Sequence, residues 1–70
     1  MKIEKIVANA YQRKLFHVTS SGMKDIKMKG KEGEIEALAY IEDYVTQSGF
    51  KIESIFSGTA GVITFILTKE

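Results

Sequence analysis

"MKDIKMKGKEGEIEALAYIEDY", residues 23–44, changes the sign of its charge partway along. Lysines at 24, 27, 29 and 31 give way to acids at 32, 34, 36, 42 and 43. The two halves also carry different periods, and those periods decide the fold. In a strand, successive side chains point to opposite faces. Ile26 and Met28 then point one way and Asp25, Lys27, Lys29 and Lys31 the other, which describes a half-buried strand with a basic outer stripe. A helix over the same residues would mix the two sets. The second half repeats at helical spacing. Ala37, Leu38, Ile41, Tyr44 and Val45 fall on one side of a wheel, with Glu36, Asp43 and Gln47 opposite. The spacing predicts a helix over 33–48. Glu32 and Glu34 stand at its start, where the macrodipole favours anions. Gly49 follows it as a left-handed cap, with Phe50 as the apolar contact that accompanies such caps.

Working outward, "KIEKIVAN" (2–9) reads as a first strand whose imperfect alternation predicts a bulge. "AYQR" (10–13) is a polar connection. "KLFHVTS" (14–20) is a second strand, with Phe16 and Val18 on one face and Leu15 and His17 on the other. "SSG" (20–22) is a turn. "FKIESIF" (50–56) alternates Phe50, Ile52 and Phe56 against Lys51, Glu53 and Ile55, and "SGTAG" (57–61) is a loop. "VITFILT" (62–68) is apolar on both faces, as a central strand is. The fold class expected is α+β, a two-layer sandwich of order β-β-β-α-β-β. One helix packs on one face of a mostly antiparallel sheet whose strand order is 3-2-1-5-4. The chain is expected to form a single domain over 1–70.

Composition narrows the function classes. A chain of 70 residues buries only about 60% of its unfolded surface. There is no cysteine, so no disulfide or thiolate metal site supports it, and a reducing, cytoplasmic setting is expected. One histidine cannot assemble a zinc site alone. The first residues lack the continuous apolar run of a secretory signal, and the longest apolar stretch, 60–67, is too short to span a bilayer. Residues 1–31 carry eight basic side chains against two acids; residues 32–70 carry two lysines against seven acids. Such asymmetry points to an acidic partner for the basic half, unless the fold interleaves the halves in space.

Motifs of catalysis are missing from the sequence. His17 has Ser20, Ser21 and Asp25 nearby but no catalytic spacing, and there is no nucleophile elbow, phosphate-binding loop or dinucleotide fingerprint. No catalytic residue, metal ligand or cofactor is expected. "AYQRKLFH" (10–17) interleaves Tyr11, Phe16 and His17 with Arg13 and Lys14, the ingredients of single-strand nucleic-acid binding. "GKEG" (30–33) resembles the GXXG loop of KH domains, which clamps a nucleic-acid backbone. That resemblance covers residues 18–38 and implies that 23–29 form a helix, against the strand reading above. The chain departs from it by Glu34 and Glu36 after the loop and by the lack of a final helix.

One helix covers only one face of a five-stranded sheet. Either Val62 and Ile66 face the helix and Ile63, Phe65 and Leu67 face away, or the reverse. Either way the other face holds a row of large apolar groups, with Leu15 and Ile55 expected to join it, and an apolar patch of that kind marks an interface. The expected function is therefore a small non-enzymatic binding or regulatory protein that acts through its sheet surface, self-associating as a homodimer or meeting another protein, without a membrane. The alternative is nucleic-acid binding by the basic half through Tyr11, Arg13, Lys14, Lys27, Lys29 and Lys31.

Overall fold

A computed structural model describes residues 1–28, 33–58 and 61–70. Among these, five strands form one sheet and one helix packs on it: β1 Lys2–Asn9, β2 Lys14–Thr19, β3 Gly22–Lys27, α1 Gly33–Ser48, β4 Lys51–Ser57 and β5 Val62–Lys69. The strand order is β3-β2-β1-β5-β4 and every neighbouring pair is antiparallel. The α+β sandwich and the order expected from the sequence are both observed. The helix explains the order: it carries the chain from β3 at one edge to β4 at the other, and the long β5 then returns to pair with β1.

The core lies between helix and sheet. Ile6, Leu15, Phe65 and Leu67 from the strands meet Ala37 and Ile41 from the helix, with Met28 and Phe50 closing the two ends. Ile26 and Met28 face inward as the strand reading requires. Gly22–Lys27 is a strand, so the helix implied by the KH resemblance is not formed there. Lys29, Gly30, Lys31 and Glu32 lie outside the described residues.

Two sequence expectations about side-chain direction are corrected. Ala37, Ile41, Tyr44 and Val45 face the core as expected, but Leu38 is 51% exposed, and Tyr40 turns toward the core in its place. The bulge is in β4, not β1. β1 pairs without a register shift on both sides, whereas β4 shifts between Ile52 and Ser54. Alternation in β1 is imperfect because this central strand has apolar groups on both faces, Ile6 and Ala8 inward and Ile3 and Val7 outward, with Glu4 also inward. In β4 the extra residue, Glu53, puts Ile52 and Ile55 on one side and Phe56 on the other.

The far end of the helix is capped as the sequence predicts. Gly49 adopts φ 82°, and its N–H donates to the Val45 carbonyl at 3.2 Å. The half-buried Ser48 carbonyl accepts from Lys69 Nζ at 2.7 Å. That lysine supplies the cation which the last helical turn lacks.

Candidate functional site

The helix side of the sheet holds a polar cluster inside its apolar frame. Glu4 from β1 and His17 from β2 project toward α1, which returns Tyr40 and Tyr44, one turn apart on the same helix face. The Glu4 carboxylate accepts a hydrogen bond from His17 Nε2 at 2.8 Å and a short one from the Tyr44 hydroxyl. Nδ1 of the same ring lies 3.0 Å from the Tyr40 hydroxyl, within hydrogen-bond distance. The His17 and Tyr44 rings meet edge to face, with centroids 4.4 Å apart. Tyr44 in turn lies near-parallel to Phe50.

Burial disfavours the tyrosinate of Tyr44, and the bond to Glu4 adds to this, so its hydroxyl is pushed up to about 12. Burial, then the Glu4 charge, raises Tyr40 as well. Both hydroxyls are thus held as proton donors. Among the described residues, no buried side-chain nitrogen or oxygen lacks a hydrogen-bond partner. The cluster is closed on itself, and its chemistry is to lock the helix to β1 and β2. A shallow cleft of about 490 Å³ opens beside it, lined by His17, Thr19, Met23, Lys24, Tyr40 and Tyr44 among others. Among the described residues no group of His, Asp and Glu is arranged to hold a metal ion.

On the other face of the sheet the described residues place no covering element. Strand register fixes what stands there. One cross-strand row runs Asp25, Phe16, Val7, Thr64, Phe56; the next runs Met23, Val18, Lys5, Ile66, Ser54. Ile3 and Lys51 flank Thr68 at one end, and Lys14 and Lys27 stand opposite each other at the other end. Lys14 reaches Asp25 at 3.5 Å, which relieves part of that like-charge pairing. Phe56, Ile3 and Met23 are 53%, 60% and 64% exposed, and Val7, Phe16, Val18 and Ile66 are half-buried. The surface is therefore an apolar band across the sheet with Lys5 near its middle and Lys14, Lys27 and Lys51 around it.

Basic residues stand on both sides of the sheet, Lys24 and Lys69 on the helix side among them. The outward face of the sheet carries Lys5, Lys14, Lys27 and Lys51 against Asp25. The helix contains no basic residue, and its Glu42 and Asp43 are exposed.

The sequence-predicted site residues divide. Of the interface candidates, Leu15, Phe65 and Leu67 are buried under the helix, and Ile63 packs against them. The second of the two possible facings of β5 is the one adopted: Val62, Thr64 and Ile66 belong to the outward face, and Ile63, Phe65 and Leu67 to the helix side. The reason is register, since Phe65 pairs with Ile6 and Leu67 with Glu4, both of which point to the helix. Ile55 shares the helix side with its partner Phe65 but lies beyond the helix and remains 58% exposed. Of the nucleic-acid candidates, Lys14 and Lys27 stand on the outward face. Tyr11 and Arg13 lie in the exposed β1–β2 connection, where the Tyr11 ring packs over Gly61. A side chain added at Gly61 would meet that ring at 2.7 Å. Lys29 and Lys31 are outside the described residues.

Sequence reasoning missed Glu4, Tyr40, Lys5 and Lys51. Tyr40 was findable, being three residues from Ala37 and four from Tyr44 on the wheel. Glu4 was not, because its inward direction depends on a distant partner, His17. Lys5 and Lys51 acquire meaning only once the register sets them beside Ile66 and Thr68. Comparison with known proteins finds no matching family model, no matching curated protein and no matching solved structure.

Proposed function

We propose that this is a non-enzymatic binding protein that works through the outward face of its sheet, and that the face takes a single strand of nucleic acid. The observation that carries this reading is the composition of that face: exposed or half-exposed phenylalanines on β2 and β4 with Lys5 between them and Lys14, Lys27 and Lys51 around them, while the helix on the opposite side has no basic residue. Bases stack on aromatic rings without regard to sequence, and lysines meet the phosphates between them. Phe16 and Phe56 are three strand spacings apart in the sheet order, about 14 Å, a span that a few extended nucleotides cover. The Glu4–His17–Tyr40–Tyr44 cluster supports a binding rather than a catalytic role, because its bonds join the helix to β1 and β2 and so hold the platform together. A second copy laid face to face on this surface would set lysines against lysines, so charge favours an anionic polymer over self-stacking.

The reading is tested by fluorescence anisotropy with a short unstructured oligonucleotide at low and moderate salt. Binding is expected at low salt and should weaken steeply as salt rises, through counterion release. Replacing Lys5, Lys14, Lys27 and Lys51 with glutamine should flatten the salt slope by about three, at roughly 0.7 per contact for single strands. Phe16→Ala should cost about 1–3 kcal/mol of binding through lost stacking. No binding at low salt, or binding that the lysine variant leaves unchanged, overturns it. Binding of another protein that is lost when the same face is substituted, with no oligonucleotide binding, would assign the surface to that partner instead.

A further inference from the structure

The sheet ends in two unlike edges. β3 is guarded: Lys24, Asp25 and Lys27 put charge on both of its faces within six residues. Such charges discourage one sheet edge from pairing with another. β4 is not guarded along its second half. No strand of the described residues pairs with its outer edge, all seven of its residues are exposed, and "SIFS" (54–57) carries no charge and no proline. Its large apolar groups also lie on both sides of the sheet. Ile52 and Ile55 are 43% and 58% exposed on the helix side, and Phe56 is 53% exposed on the outward side. Lys51 and Glu53 sit in the first half, where the bulge turns the strand away from regular pairing.

We infer that a second copy of this chain covers the β4 edge, the two β4 strands pairing antiparallel across a two-fold axis normal to the sheet. An unpaired row of N–H and C=O groups flanked by apolar side chains on both faces is the surface that strand addition uses. The geometry narrows the register. An axis normal to the sheet pairs only residues that point to the same side, so it passes through a residue and not between two. Centred on Ile55, it sets Ile55 against its own copy on the helix side and Phe56 beside the second copy's Ser54 on the outward side. The charged residues of β4, Lys51 and Glu53, lie at or beyond the bulge from this centre, and no like charges meet. The helices end up on the same side of a continuous sheet, flanking a seam floored by Ile52 and Ile55. The four lysines of each copy lie side by side on one extended outward face, so the pairing avoids the charge clash of face-to-face stacking. The arrangement also closes. Pairing consumes both β4 edges and leaves only the guarded β3 edges outside, which yields a dimer and not a fibre.

The test is solution mass by light scattering, with variants at the two edges. The unmodified chain should scatter as twice its 7.8 kDa. Ile55→Lys should reduce this to the monomer with its circular dichroism unchanged, because the residue is exposed and Lys at an edge opposes pairing. Met23→Lys, on the guarded edge, should leave the dimer intact. The described residues include no cysteine, and none exists in the sequence, so Ile55→Cys offers an independent readout. Directly opposed antiparallel residues have Cα atoms about 4.5–5.5 Å apart, within disulfide reach, so mild oxidation should link the copies covalently. Met23→Cys should not link comparably. A monomer at all concentrations, a dimer that Ile55→Lys leaves whole, or equal linking at both edges would each overturn the inference. A monomer that still binds the oligonucleotide would do so without touching the proposal above.

Discussion

The two faces of one sheet here serve opposite ends. Toward the helix, β1, β2 and β5 present Ile6, Leu15, Phe65 and Leu67, all at or below 6% exposure, and the polar groups that intrude there are paired with one another. Away from the helix the same strands present Val7, Phe16, Val18 and Ile66, which are apolar too but only half-buried and interrupted by Lys5. Apolar content does not distinguish the faces. What distinguishes them is whether the intervening polar groups have partners within the chain. Glu4 on the inner face has two; Lys5, its neighbour on the outer face, projects toward solvent. A core is thus a face whose polar exceptions are satisfied internally, and a binding surface is one whose exceptions are left for something else.

The comparison breaks first on stability. Leu67→Ala and Ile41→Ala remove fully buried side chains and should each cost about 2–5 kcal/mol in chemical denaturation. Their outward neighbours should not: Ile66→Ala, one residue along β5, is expected to cost well under half as much. Leu38→Ala, on the exposed side of the helix, should stay within about 0.5 kcal/mol. Similar losses at Leu67 and Ile66 would mean that both faces are core and that no outer binding surface exists.

The polar cluster sharpens the contrast through pH. Burial and the bond to Glu4 push the Tyr44 hydroxyl from the ordinary tyrosine value near 10 up to about 12 in the folded protein. Below pH 10 both folded and unfolded chains keep the proton, and the contribution of the group is fully present. Between about 10 and 12 the unfolded chain loses its proton first, so unfolding is increasingly favoured and stability falls. Denaturation midpoints measured across that window should decline. Tyr44→Phe should flatten the decline while costing about 1 kcal/mol near neutral pH, the net value of an ordinary hydrogen bond. An unchanged slope in the variant would place the titrating group elsewhere.

How much of this was legible in the sequence depended on whether a signal was local. The helix span, the capping by Gly49 and the boundaries of four strands rest on neighbours a few residues apart, and they match to within a residue; β3 was expected to run on through Lys29 and Lys31, but the observed strand is Gly22–Lys27. The strand order followed because β5 is apolar on both faces and so belongs inside the sheet. Which face of β5 meets the helix was not legible. Ile63, Phe65 and Leu67 are no more apolar than Val62 and Ile66 in any way that decides it, and the answer lies in register with Ile6 and Glu4 across the sheet. Glu53 shows the same limit, for one extra residue in β4 reversed Phe56 relative to Ile52 with no turn residue to announce it. One edge of the helix face was misjudged, because Leu38 is the more apolar residue and Tyr40 the better-partnered one. The partner that draws Tyr40 inward, His17, is 23 residues away.

The central claim, that the outward face of the sheet is the working surface, is tested most directly by amide chemical-shift mapping during titration with a short single-stranded oligonucleotide. The account predicts shifts concentrated at Lys5, Val7, Phe16, Val18, Thr64 and Ile66, with Glu42 and Asp43 on the acidic helix unmoved. Shifts confined to the helix or to the cleft beside His17 and Tyr40, or no shifts at low salt, would contradict it.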